Sequence, residues 1–265
     1  MIVSVDIPFD EFSSFMRGPA LAPPRIHEAF HSDAANYYTE QGTDLKNHAQ
    51  IKFFDSLKLP SGTEAIKTIE QSINGLLSQY EKIISLGGDH SITYPVVKAV
   101  AGKYKELTIL HLDAHPDLYD QFEGNKFSHA CPFARIMEEG LAQRLVQVGI
   151  RTMNAHQREQ ANRFGVEVIE MKNFDPSYRF EFQGPVYISL DMDVIDPAFA
   201  PGVSHHEPGG FSSREVISIL QNLRGNVVGA DLVEFNPIRD PTGITAMLAA
   251  KLYKEMLDVL LRVEL

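Results

Sequence analysis

The chain has one cysteine, Cys131, in 265 residues and no tryptophan. A single thiol excludes an internal disulfide, so packing alone must hold the fold, and a reducing, cytoplasmic setting is expected. Positive charge is scarce as well: 24 Lys and Arg stand against 35 Asp and Glu, a net charge of −11. With no basic stripe to offset phosphates, nucleic acid is excluded as a partner. No apolar run reaches the length of about 18 residues that a membrane-spanning helix needs, so no membrane partner is expected. The start, Met1-Ile2-Val3-Ser4-Val5-Asp6, has neither a basic leader nor a cleavable apolar stretch and reads as a first strand.

What is abundant is acid and imidazole at strand ends. Gly87-Gly88-Asp89-His90-Ser91, Asp113-Ala114-His115-Pro116-Asp117 and Ser189-Leu190-Asp191-Met192-Asp193 each follow an apolar, β-like run. Side chains two apart on an extended chain point the same way, so Asp113, His115 and Asp117 can face one point, as can Asp191 and Asp193. With His90 they make two imidazoles and four carboxylates, too many for one cation and suited to two. Four buried carboxylates without cations would cost several kcal/mol each. Two divalent ions cancel that charge and can deprotonate a shared water near neutral pH. A carboxylate-rich set with imidazole and no thiolate favours Mn²⁺, two per chain, with Zn²⁺, Co²⁺ or Ni²⁺ open on affinity alone.

Apolar, β-branched runs alternate with helical periods along the whole chain. Strands are expected near Ile2 to Asp6, Ile51 to Leu57, Lys82 to Leu86, Leu107 to Asp113, Leu145 to Ile150, Glu167 to Met171, Val186 to Asp191 and Val227 to Leu232. Helices are expected over Ser61 to Tyr80, Ser91 to Tyr104, Pro132 to Glu139, Ala155 to Phe164, Ser212 to Leu223 and Thr242 to Leu261, with a capping box at Ser61/Glu64 and a helix-start signal in Ser212-Ser213-Arg214-Glu215. The last of these helices is apolar enough for core or interface, and core is the expectation. The alternation predicts an α/β fold: one domain over 1–265, a doubly wound, mostly parallel eight-stranded sheet with helices on both faces. Ligands bind such sheets at the carboxyl ends of the strands, where all three motifs fall. Met16 to His48, Tyr119 to Ser128 and Asp196 to Gly210 are expected as irregular loops around that pocket. Gly87-Gly88 lacks the Lys-Ser/Thr of a phosphate cradle and reads as a tight strand-to-helix turn.

Gly-Gly-Asp-His-Ser, Asp-Ala-His-x-Asp and Ser-Leu-Asp-x-Asp-x-x-Asp-Pro, in this order, resemble the ureohydrolases, the arginase, agmatinase and formimidoylglutamase group. The resemblance runs nearly end to end, from Arg17-Gly18-Pro19-Ala20-Leu21-Ala22-Pro23-Pro24-Arg25-Ile26 to Thr245-Ala246-Met247-Leu248-Ala249-Ala250. Phe122 to Ala130, Phe199 to His205 and Asp231 to Pro237 look closest to plant-type arginases of the agmatinase-like branch. The resemblance implies an arginase-like fold in which His90 and Asp117 hold one Mn²⁺, His115 and Asp193 the other, and Asp113 and Asp191 bridge them. It implies that the bridging hydroxide attacks a guanidino carbon, giving a tetrahedral intermediate that collapses to urea and an amine. It also implies a small-molecule guanidino substrate and a homo-oligomer, trimer or hexamer.

On the same resemblance His129 matches a mobile, proton-relaying histidine, a task its ordinary pKa suits. Glu234 matches the carboxylate that receives the guanidinium, which a bidentate acceptor holds best. Asp231 can orient a metal-bound imidazole from behind, and Asn125 and Asn154 are candidates to touch the substrate. Cys131, two residues from His129, recommends a thiol nucleophile less than the metal set does. His205, His206 and Glu207 form a pocket wall more readily than a third metal site.

The substrate is arginine or agmatine. Animal and bacillar arginases carry an acidic pair soon after the Gly-Ile/Leu-Arg strand, where this chain has Arg151-Thr152-Met153-Asn154, and an Asn where it has Tyr119. The acid that would meet an α-ammonium is missing there. Plant-type arginases lack it too, which tips the expectation to arginine. Alternatives are agmatine, then formimidoylglutamate or guanidinobutyrate, and last a non-catalytic metal-binding protein.

Overall fold

The computed structural model describes residues 1–262. Eight strands join in one sheet: β1 (Ile2–Ile7), β2 (Ile51–Phe53), β3 (Lys82–Gly87), β4 (Thr108–Leu112), β5 (Arg144–Ile150), β6 (Glu167–Glu170), β7 (Glu181–Asp191) and β8 (Arg224–Val233). Their spatial order is β2-β1-β3-β8-β7-β4-β5-β6, and every pairing is parallel. Alternate residues of each strand therefore feed two cores, as expected of strands covered on both faces. Val3, Val5, Ile83, Ile109 and Tyr187 pack on one side, and Ile84, Leu86, Leu110, Leu112, Ile188 and Leu190 on the other.

The helices divide accordingly. α2 (Glu64–Leu77), α3 (Thr93–Lys103), α4 (Pro132–Glu138) and α5 (Ala155–Phe164) cover the first core. α1 (Ala22–Phe30), α6 (Ser213–Asn222) and α7 (Ile244–Leu261) cover the second, and α7 lies in that core along nearly its whole length. Among the described residues, no helix is long and apolar enough to cross a membrane.

The departures from expectation are local. α1 falls inside the segment expected to be irregular, because Pro23 and Pro24 read as breakers. At the first helical turn proline lacks only an N–H that would be unpaired anyway, and Ala22, Ile26, Ala29 and Phe30 then share one buried face. The Ser61/Glu64 capping box does not form: Glu64 is already the first residue of α2, and Ser61 with the Gly62 amide serves Glu11. The Ser212/Glu215 box forms in both directions. β2 stops at Phe53, well before Leu57, while β7 and β8 begin earlier than their apolar runs do.

One loop is held by charge. Glu40, in the long connection after α1, accepts from both Arg214 Nη atoms (2.7 and 2.9 Å) and from Gln221 (3.0 Å), with Lys251 3.3 Å away. Arg214 foremost, then Gln221, hold its carboxyl down at about 2, against the opposing effect of burial. A carboxyl lowered on folding stabilises above its ordinary 4.5 and loses that contribution as pH falls toward 2. Acid unfolding curves of wild type and Glu40→Gln should therefore diverge above pH 4.5 and converge near pH 2. A gap that stays constant across that range would show that the ionisation of Glu40 contributes nothing to stability.

Candidate metal centre

Four neighbouring strands, β3, β8, β7 and β4, end at the same edge, and each delivers acid or imidazole there. At the end of β3 the chain turns through Gly87 and Gly88 into His90. These glycines are required for close approach: a Cβ on Gly88 would stand 1.8 Å from the Phe9 carbonyl oxygen, and one on Gly87 would stand 2.3 Å from Ile92. Gly88→Ala is therefore expected to lower stability by about 1–3 kcal/mol or more, because backbone is slow to give way. Gly75→Ala on α2, where the added methyl meets nothing within 4 Å, is the control. Equal denaturant midpoints for the two variants would contradict this reading.

His90 is wholly buried, and its surroundings fix its tautomer. Asp231, on β8, accepts from the hydroxyls of Ser189 (2.7 Å), Tyr187 (2.7 Å) and Thr93 (2.9 Å). Since the Ser189 proton goes to Asp231, Ser189 Oγ must accept from His90 Nε2, 2.9 Å away. The bare lone pair of His90 Nδ1 then faces Asp117 Oδ2 at 3.0 Å and Asp113 Oδ2 and Asp191 Oδ2 at 3.2 Å, with no hydrogen-bond partner. A lone pair among three carboxylates is repulsive unless a cation sits between them. Without one, burial disfavours a charged ring, yet Asp113, Asp117 and Asp191 together push the His90 pKa well up. Burial, then Asp193 and Asp113, push the Asp191 carboxyl up as well. The donor set fits divalent metal.

The second half of the cluster mirrors the first. His115 Nδ1 lies 2.9 Å from Asp193 Oδ2 and 3.4 Å from Asp113 Oδ1, so the two oxygens of Asp113 face different imidazoles. The backbone amide of His115 donates to Asp113 Oδ1 (2.6 Å), and those of Asp193 and Ala114 donate to Asp191 Oδ1 (2.8 Å) and Asp193 Oδ1 (3.2 Å). All six predicted ligands thus meet at one place. Asp117 holds φ at 49° and Glu234 at 64°, a left-handed conformation that side chains disfavour and that clusters at functional sites.

His111 was not anticipated. It sits inside an apolar strand, yet the spacing 111, 113, 115, 117 already placed it on the ligand face. Gln147 Nε2 donates to the Pro116 carbonyl (2.6 Å), and its other proton points to His111 Nδ1 (3.0 Å), so His111 Nε2 donates to Asp113 Oδ2 (2.7 Å). Burial lowers its pKa and keeps the ring neutral, stacked on Phe133 at 3.8 Å.

His129 and Glu234 face each other beside the cluster. Glu234 Oε1 accepts from His129 Nδ1 (2.7 Å) and from the His90 amide (2.9 Å). Burial would raise the Glu234 carboxyl, but His129 outweighs it and holds it low. Burial likewise opposes charge on His129, yet Glu234 pushes its pKa up to about 9. On the other side of the ring, Ser14 brings its amide (3.1 Å) and hydroxyl (2.8 Å) to Nε2. Protonation keeps the hydroxyl as an acceptor and forfeits the amide contact. Asp89 places Ser14's segment by accepting from the Phe12 amide and the Ser13 hydroxyl, each at 3.1 Å.

The remaining candidates are less central. Asn154 caps α5 through Gln157 and donates to the Tyr119 hydroxyl (2.5 Å), which lines the site. Asn125 lies in an adjoining hollow, its Oδ1 taken by the Phe127 amide. Cys131 is buried and its thiol is pushed up to about 12 by desolvation, so it stays protonated. His206 is pinned between the Pro201 carbonyl (2.8 Å) and Arg239 (3.1 Å). The cavity over the cluster, about 210 Å³, suits a small molecule.

Fold and site together, six convergent carboxylates and imidazoles at the carboxyl edge of a parallel sheet, fit a metal-dependent hydrolase. The Arginase family profile matches residues 1–258, and the chain belongs to that family, metal-dependent hydrolases with a binuclear site that act on guanidino compounds. It is 50% identical to arginase 1, mitochondrial, of Arabidopsis thaliana, over 94% of this chain and 78% of that one. Agmatinase of Bacillus anthracis is 33% identical over 97% of this chain and 90% of its own length. The structure of the arginase from Medicago truncatula superposes with a TM-score of 0.94 at 44% identity, covering 98% of this chain and 87% of the other.

Proposed function

We propose that this protein hydrolyses the guanidino group of L-arginine to ornithine and urea, using two Mn²⁺ ions. The observation that carries the reading is the bare His90 Nδ1 turned toward three carboxylates, with Glu234 beside it. His90 and Asp117 would hold one ion, His115 and Asp193 the other, and Asp113 and Asp191 both. When bound, such a pair lowers the pKa of a shared water enough to make it nucleophilic at neutral pH. Glu234 would take the guanidinium, which fixes its carbon over the cluster. His129 would then carry a proton to the departing amine, with Ser14 and Glu234 holding its ring at both nitrogens.

Identity favours arginine over agmatine: 50% to the Arabidopsis arginase against 33% to the Bacillus agmatinase. Formimidoylglutamate and guanidinobutyrate fit less well, because their carboxylates have no ammonium beside them, as arginine's has, and no Lys or Arg is among the described residues lining the cavity. A purely metal-binding role leaves the His129–Glu234 pair without purpose. A urea assay with arginine, agmatine and guanidinobutyrate, and a formamide assay with formimidoylglutamate, decides among them. Arginine should give the highest kcat/KM, and no product from any of the four would leave the binding role. The reading extends to a cytoplasmic location and to a trimer or hexamer, to be tested by cell fractionation and light scattering.

A further inference from the structure

We infer that Glu207 receives the distal ammonium group of the substrate, supplying from the β7–α6 loop the acid that the segment 151–154 lacks. The inference deepens the reading proposed above and rests on it. Five carboxylates line the cavity. Asp117, Asp191 and Asp193 face the imidazoles of the cluster, and Glu234 faces His129. Glu207 is left: its nearest ionic contact, His115 Nε2, is 3.7 Å away, too far for a hydrogen bond. An acid whose one ionic partner, His115, stands 3.7 Å away, in a cavity whose described lining has no Lys or Arg, selects for a cation on the ligand.

Arg151 explains how that acid is held in register with the metals. Its Nε and Nη2 donate to the Glu207 carbonyl (2.9 and 2.6 Å), Nη2 also reaches the Asp193 carbonyl (2.6 Å), and Nη1 reaches Val194 and Gly149 (both 3.3 Å). One planar guanidinium thus ties the backbone of the Glu207 loop to the backbone of a metal ligand. Gly210, which lets this loop approach, would put a Cβ 2.7 Å from that same Arg151 and from the Val194 carbonyl. Arg151 is a positioning residue here.

The reach is compatible. With His115 between them, Glu207 and Asp193 stand no more than roughly 9 Å apart, allowing about 2 Å for the ring, a limit that six bonds from guanidino carbon to α-nitrogen, roughly 7 Å when extended, do not exceed. Arginine and agmatine both place an ammonium at that reach. The 2-hydroxy analogue of arginine does not.

The test compares wild type, Glu207→Gln and Glu207→Asp, Mn²⁺-loaded, on arginine and on its 2-hydroxy analogue, with metal content measured on the same samples. Loss of a charge-assisted hydrogen bond is worth about ten- to a hundredfold in affinity. Glu207→Gln should raise KM for arginine by that factor, change turnover of the hydroxy analogue less than about twofold, and keep two metals, while Glu207→Asp recovers part of the loss. Calorimetry should show ornithine binding weakened in parallel. Equal losses on both substrates, or a fall in metal content, would mean that Glu207 acts through His115 and would overturn the inference. Wild type that hydrolyses both compounds equally well would also overturn it while leaving the proposed reaction standing; wild type that hydrolyses neither would remove the reaction itself.

Discussion

Asp113→Ala and Asp191→Ala should each lose bound metal and activity together, while the sheet stays folded. Asp113 turns one oxygen to His90 and the other to His115, so its removal strips both halves of the cluster at once. Asp191 faces His90 with one oxygen and accepts from the Asp193 amide with the other, so its loss also frees a ligand-bearing turn. Removing one partner from a buried charged set costs about 3–5 kcal/mol, roughly a 10²–10⁴-fold loss of affinity per site. Mn²⁺ should raise the thermal midpoint of wild type strongly and that of either variant little, since a ligand stabilises only what it binds. Elemental analysis that still found two ions per chain in both variants would refute the bridging assignment. Circular dichroism of the metal-free proteins keeps the test clean: both carboxylates sit at strand ends, outside the two apolar cores.

His129→Ala should leave both metals in place and lower kcat by about 10²–10⁴, the usual worth of a positioned acid–base group. Its imidazole touches Glu234 and Ser14 and none of the six proposed ligands. The sign of its pH response follows from the same contacts. With its pKa at about 9 in the metal-free protein, the ring stays charged, and the pair stabilises fully below the ordinary 6.5 and loses its contribution as pH rises through 9. In Glu234→Gln the chief cause of the shift is gone, and the His129 resonance should titrate much lower by NMR. Two dications nearby repel a charged ring, so Mn²⁺ loading should move it the same way. An unchanged titration in Glu234→Gln would break the proposed pair. Loss of metal in His129→Ala would make the residue a ligand or a structural element instead.

Much of this was legible in the chain because strand alternation is short-range. Asp113, His115 and Asp117, like Asp191 and Asp193, share a face by a period of two, and the apolar runs before them marked buried strands. His111 obeyed the same period but was masked by the apolar residues around it. That Glu207 lines the cavity beside His115 was not legible, since a loop among Pro and Gly residues has no period to betray where its side chains go. α1 was hidden by Pro23 and Pro24, whose effect depends on whether they fall at a helix start or inside one.

By itself, then, the order of residues determined the strand-and-helix alternation, the two-sided burial and which acids and imidazoles could face one point as candidate metal donors, all of which depend on neighbours a few positions away. Only the tertiary structure decided that β8 and β7 lie between β3 and β4, strands that follow one another in the chain. That insertion pairs Ser189 with Asp231 and with His111 in adjacent registers, and sets Glu234 against His90 and His129. The physical reason is that strand order is chosen by how whole helices pack over the sheet, a long-range sum to which no single segment holds the key.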